Sequence, residues 1–276
     1  MKIFDCFMFY DEEMILDFRL NYLNNYVDKF VVVESSYTHS GKKRELIFDI
    51  KKYSKFKDKI SYTVLDEEPG SLFEVDEKDN FDKKNSKYIL NALKRENFQR
   101  NYIKIACKKF SNDDILIISD LDEIPSIKKL NFILSSDFKK IAPVALEQYL
   151  FHLDCNYLRL ESWRGSIVTT MKNCNAQSPQ RFRTLRNRIS HFTDGGWSFS
   201  SFGGYERVKE KIESYAHSEH NNDKFKNPEH IANCQRTGAD LFHRNVKSRK
   251  IEKNFFPKDL LNLMEQNPTF YFGSNN

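Results

Sequence analysis

The sequence predicts an α/β fold built on a Rossmann-like, mostly parallel sheet with helices on both faces. Three observations carry that expectation. Phe30-Val-Val-Val33 and Ile115-Leu-Ile-Ile118 are fully apolar and largely β-branched, as strands covered on both faces are. Strand-like and helix-like segments alternate through the first 125 residues, and such alternation sets parallel strands side by side. Two carboxylates, Asp120 and Asp122, stand where the second apolar run would leave the sheet. Ligands of open α/β sheets collect outside the carboxyl ends of the strands.

Residues 2–9 are apolar and aromatic and form a first strand ending at Phe9. Residues 12–25 bring Met14, Ile15, Phe18, Leu20 and Leu23 to near-helical spacing. Residues 29–34 and 60–65 are a second and a third strand. The acidic stretch 66–84, with Glu67-Glu68-Pro69-Gly70, reads as a long loop. Asn85 or Ser86 would cap a helix running to about residue 110, with Ile89, Leu93, Ile103 and Ala106 on its apolar side. The turn Asn112-Asp113-Asp114 leads into a fourth strand at 115–119. Beyond Pro125 the pattern loosens. A helix at 126–134 and a strand near 142–151 precede shorter β segments up to Thr193. A helix at 205–217 follows Gly203-Gly204, and an amphipathic run at 260–264 follows the basic stretch 244–253. No repeat or linker divides the chain. Residues 1–276 read as one catalytic domain, with a ligand-binding half (1–125) and a substrate-shaping half (126–276).

Composition narrows the function classes. The 276 residues are 39% apolar and 30% charged, and no apolar run approaches the roughly 20 residues that span a bilayer. The N-terminus reads as a strand interrupted by Asp5 rather than a secretion signal. Cys6, Cys107, Cys155, Cys174 and Cys234 are scattered and odd in number, neither a disulfide framework nor a zinc site. A cytoplasmic protein is the expectation. A net charge of +5 is too mild for nucleic acid, but suits an anionic substrate or peripheral contact with the inner, acidic face of a membrane.

The chemistry-bearing residues cluster. Neighbouring acids repel unless a cation neutralises them, and Mg²⁺ or Mn²⁺ bridging Asp120 and Asp122 to a phosphate would do so. The competing reading is a solvated turn. Phe9, Glu34 and Ser35 sit at carboxyl ends of adjacent strands, where a ribose or base would be held. Arg95, Gln99 and Tyr102 share one helix face, and Arg95 matches paired phosphate oxygens. The segment from His191 to Glu206 carries Asp194, glycine pairs and Trp197, whose ring offers a wall for a sugar. Glu206, in the first turn of a helix, suits a general base, with Asp194 as its rival. His217 could complete the metal site, and Arg236 could close over an anionic donor.

Taken together, Phe30-Val-Val-Val-Glu34-Ser…Thr38-x-x-Gly41, Ile117-Ile-Ser-Asp120-Leu-Asp122-Glu123-Ile-Pro125, His191-Phe…Gly196-Trp197-x-x-Ser200…Glu206 and Arg236-Thr-Gly238 resemble glycosyltransferase family 17. The best-known members are the β-1,4-mannosyl-glycoprotein N-acetylglucosaminyltransferases. The resemblance implies a GT-A-like fold, a UDP-sugar donor (UDP-GlcNAc), inversion at the anomeric carbon and a glycan or lipid-linked saccharide acceptor. It implies a metal on Asp122, with Asp120 on ribose or metal. The family often has His after the Gly-Trp pair, where this chain has Ser198. Rival readings are a haloacid-dehalogenase-like phosphatase with Asp120 as nucleophile, a nucleotidyltransferase, and a degenerate glycan-binding relative.

Overall fold

The computed structural model describes residues 1–135, 137–214, 222–267 and 270. Among them one mixed ten-stranded sheet forms the frame. Its first half follows the expected alternation: β1 (Ile3–Phe9), α1 (Glu13–Leu23), β2 (Lys29–Ser35), β3 (Ile60–Leu65), α2 (Phe81–Ala106) and β4 (Ile115–Ser119). These four strands run parallel in the order β3-β2-β1-β4. Side chains alternate across them. Phe7, Phe9, Phe30, Val32, Ile115 and Ile117 pack on one face with α1, while Phe4, Cys6, Val31, Val33, Leu116 and Ile118 pack on the other, where α2 lies. Helix α2 begins earlier than expected, because the Asn80 side chain accepts the Lys83 amide and caps it there.

The second half departs from a purely parallel sheet. After β5 (Glu123–Pro125), α3 (Ile127–Ser135) and α4 (Phe138–Ile141) comes β6 (Val144–His152), then β7 (Tyr157–Thr170). β7 is a single 14-residue strand where only short β segments were expected. It runs antiparallel to both β4 and β6, so it joins the two halves. Two helices unmarked by periodicity follow, α5 (Met171–Ala176) and α6 (Pro179–Leu185), each started by a Thr or Ser cap. Strands β8 (His191–Phe192) and β9 (Gly196–Ser200) pair with β6, and β9 also pairs with β5. Helices α7 (Tyr205–Ser214) and α8 (Pro228–Thr237) enclose a separate small core of Leu153, Val208, Ile212, Ile231, Cys234 and Leu241. β10 (Ser248–Lys250) pairs with β7, and α9 (Lys258–Glu265) packs against α1. Among the described residues no helix is long and apolar enough to cross a membrane.

Candidate active site

A cavity of about 670 Å³ opens beyond the carboxyl ends of β1, β2 and β4 and continues over β6, β7 and β9. That volume suits a ligand of nucleotide-sugar size.

The acidic loop at its centre is held from beneath. Arg19 of α1 is fully buried and binds Asp5 through two bonds of 2.6 and 2.7 Å. The same guanidinium donates to the carbonyls of Asp120, Leu121 and Glu123 at 3.2, 3.0 and 2.9 Å. The polar residue that interrupts the first strand therefore anchors the arginine that shapes the loop.

Asp120 and Asp122, alike in sequence, have different surroundings. Both oxygens of Asp120 are taken: Arg100 Nη2 donates to one at 2.9 Å and Arg183 Nη2 to the other at 2.5 Å. Arg183 also binds Glu123 at 2.6 and 2.7 Å, and Glu123 accepts from Trp163 Nε1 at 3.0 Å and the Asp120 amide at 2.8 Å. Burial opposes ionisation of Asp120, yet Arg183 and Arg100 outweigh it and hold that carboxyl well below the usual range. The network also needs Gly165, where a Cβ would stand 2.0 Å from Gln148 Oε1 and 2.7 Å from the Glu123 carboxyl carbon. Asp122 instead faces the cavity, with Lys211 Nζ 3.3 Å from its Oδ2. Burial raises its pKa, and the neighbouring Asp120 charge raises it further against the pull of Lys211.

This donor set fits a divalent cation only in a reduced form. Asp120 is committed to two arginines, and among the described residues no three His, Cys, Asp or Glu side chains converge as a cage. Asp122 is the carboxylate placed to share a cation with phosphate oxygens, and hard cations accept one carboxylate plus substrate oxygens.

The other expected residues divide by strand and helix face. Phe9, Ser35 and Gln99 line the cavity, and Gln99 shares a 2.9 Å hydrogen bond with His39. Glu34 does not: its buried carboxylate accepts from the Ile47 and Phe48 amides and Tyr62 Oη and pairs with Arg44. Arg95 pairs with Glu68 at 2.5 Å and lies under Gly41, outside the lining. Trp197 is buried in the main core, its ring edge-on to Tyr22. Strand parity is the reason: on β9 it is Ser198 and Ser200 that face the cavity. The serine replacing the family's histidine is thus a cavity residue. Asp194 accepts from Tyr149 Oη, Glu206 is exposed on α7, and Arg236 binds Asn233 on α8; none lines the cavity. His217 lies outside the described residues.

Several cavity residues escaped the sequence reading. Arg207 and Lys211, one helical turn apart on α7, both point in, and Arg207 binds Asp11 at 2.6 Å. That spacing was the available signal, and it also explains why Glu206, one position off, faces solvent. Glu161 lies in a bulge of β7, where the residues from Arg159 to Trp163 oppose only Leu150 to Gln148 of β6. Bulges re-aim side chains beside active sites. Glu161 lines the cavity with no hydrogen-bond or ion-pair partner among the described residues.

The sequence model of glycosyltransferase family 17 matches residues 1–268. The chain belongs to this family and is an enzyme, a glycosyltransferase. No curated protein matches it significantly. Among solved structures, it is similar to a crystal structure of a proposed glucose-1-phosphate thymidylyltransferase from Bacillus anthracis in complex with sucrose. The identity is 12%, the match covers 71% of this chain and 87% of that one, and the TM-score is 0.35, too slight a likeness to carry an argument.

Proposed function

We propose that this family 17 glycosyltransferase has a GT-A-like arrangement and moves N-acetylglucosamine, or a related hexose, from a UDP-sugar to a glycan or lipid-linked saccharide hydroxyl, with inversion. The observation that carries the reading is the asymmetry of the acidic loop: Asp120 is locked by arginines, while Asp122 faces the cavity beside Lys211. The nucleotide would lie along Phe9, Ser35 and Gln99, with its diphosphate reaching Asp122 and Lys211. A bound Mn²⁺ or Mg²⁺, held by Asp122, would supply Lewis-acid neutralisation of the leaving diphosphate. The Lys211 ammonium adds charge at the same place, and Arg19 keeps the loop from yielding as that charge builds.

For the base, the cavity favours Glu161 over Glu206 or Asp194, because it lines the cavity and among the described residues it has no hydrogen-bond or ion-pair partner. As the acceptor oxygen forms its bond to the anomeric carbon, the bond to UDP breaks with its electron pair leaving on the diphosphate. Glu161 takes the hydroxyl proton. A phosphatase reading has no support at Asp120, whose two oxygens are both bound.

The test is UDP release from UDP-GlcNAc with Mn²⁺. Asp122→Asn should lower it by roughly a hundredfold or more while circular dichroism stays native. Near-normal release by that variant would end the reading, and no release by the parent chain with any UDP-hexose would favour a glycan-binding relative.

A further inference from the structure

We propose that the cavity contains an anion subsite in which Arg159 and His152 take a carboxylate or phosphate carried by the acceptor saccharide; this rests on the transferase reading above. Arg159 lies on β7, 5% exposed, and lines the cavity. Its Nη2 donates to the Ala239 carbonyl at 3.2 Å and stands 3.5 Å from Asp240 Oδ2. Asp240 is already engaged elsewhere. It accepts from the Arg244 guanidinium at 2.7 and 3.1 Å and from the amides of Phe242 and Arg244 at 2.9 and 3.0 Å. Among the described residues, Arg159 Nη1 is buried with no hydrogen-bond partner.

One strand away, His152 Nδ1 is in the same condition, and its residue also lines the cavity. Arg159 is the cross-strand partner of Leu150, and His152 follows Leu150 on the same face of β6. Two residues on adjacent strands thus line the same cavity, each with one buried nitrogen that has no partner among the described residues. Buried polar groups in folded proteins are almost always hydrogen-bonded, so a pair without partners beside a cavity points to a ligand. The guanidinium sets its sign. A buried cation whose nearest carboxylate is held by other groups gains more from an anion than from a hydroxyl, and its planar fork matches carboxylate and phosphate oxygens. His152 is kept neutral, because burial and the Arg159 charge lower its pKa to about 3, so it adds a hydrogen bond without adding charge.

The position assigns this anion to the acceptor. β4 pairs only with Ile167–Thr170 of β7, whereas Arg159 pairs with β6 and β10, beyond the edge at which the nucleotide would lie. Glu161, the proposed base, lies two residues along the same bulged stretch.

The full chain would be titrated calorimetrically, with and without UDP, with three probes: 4-nitrophenyl β-D-glucoside, its 6-phosphate and 4-nitrophenyl β-D-glucuronide. At least one anionic probe should bind about tenfold more tightly than the glucoside. Arg159→Gln should erase that preference and leave UDP affinity unchanged, and Arg159→Lys should keep part of it. Should Arg159→Gln not fold, His152→Leu, which removes the second nitrogen, should weaken the same preference. Equal binding of all three probes would overturn the proposal. So would a tenfold fall in UDP affinity on Arg159→Gln, which would give the arginine to the donor diphosphate. If UDP does not bind the parent chain, the transferase reading fails while the probe preference still decides the subsite.

Discussion

Two arginine clusters border the cavity, and they are built in opposite ways. Around Asp120, Arg100 and Arg183 meet Asp120, Glu123 and Glu96, with Trp163 adding a further donor. Around Asp240, Arg159 has one carbonyl, a distant share of one carboxylate and a nitrogen with no partner among the described residues. Both arginine sites are buried, so the difference is not one of exposure. Where each carboxylate is bound by at least one arginine, the cluster can be scaffold, fixing the loop that presents Asp122. Where an arginine is left short of partners, the fold carries a cost that a ligand can relieve.

Removing one arginine from each cluster should have unequal effects. Arg183→Ala strands Asp120 and Glu123 as buried charges and should cost about 3–5 kcal/mol, read as a fall in the denaturation midpoint. Arg159→Gln should cost no more than about 1 kcal/mol, since it gives up one direct hydrogen bond. Equal losses would mean the two clusters do the same work. A smaller step is Trp163→Phe, which keeps a ring for the cation–π contact with Arg186 but deletes the donor to Glu123. About 1–3 kcal/mol should go, and an unchanged midpoint would show that Arg183 and the Asp120 amide satisfy Glu123 without the indole.

The mildest effect concerns pH. His152 is held near a pKa of about 3, below the 6.5 usual for the unfolded chain. Between those values the unfolded state binds the extra proton, so stability from neutral His152 is present above about pH 6.5 and lost as the pH falls. Melting curves of the parent chain from pH 7 to 4.5 should decline more steeply than those of His152→Leu. Parallel declines would place His152 outside the acid response.

Much of the first half of the fold was legible because its signals are local. Apolar runs marked β2 and β4, and the helical spacing of Met14 to Leu23 marked α1. β7 was not, since Arg159 and the stretch Glu161 to Arg164 line a cavity and so lack the alternation of a strand on a dry core. Helices α5 and α6 are too short to show a period and are betrayed only by Thr170 and Ser178 at their caps. The cavity lining was legible as far as Phe9, Ser35, Gln99, Asp120 and Asp122, which stand at or near strand ends or on α2.

Sequence by itself determined the family, the parallel half-sheet and the presence of two carboxylates at its edge, because each is written in contiguous residues. What surrounds each carboxylate was settled only in three dimensions. Asp120 and Asp122 differ through Arg100, Arg183 and Lys211, which come from 20, 63 and 89 residues away along the chain. Strand parity likewise sent Trp197 inward and Ser198 toward the cavity, and one step around α7 separated Lys211 and Arg207 from Glu206. Charge pairing acts over a few ångströms in space, and no spacing rule along one chain records which cations arrive there.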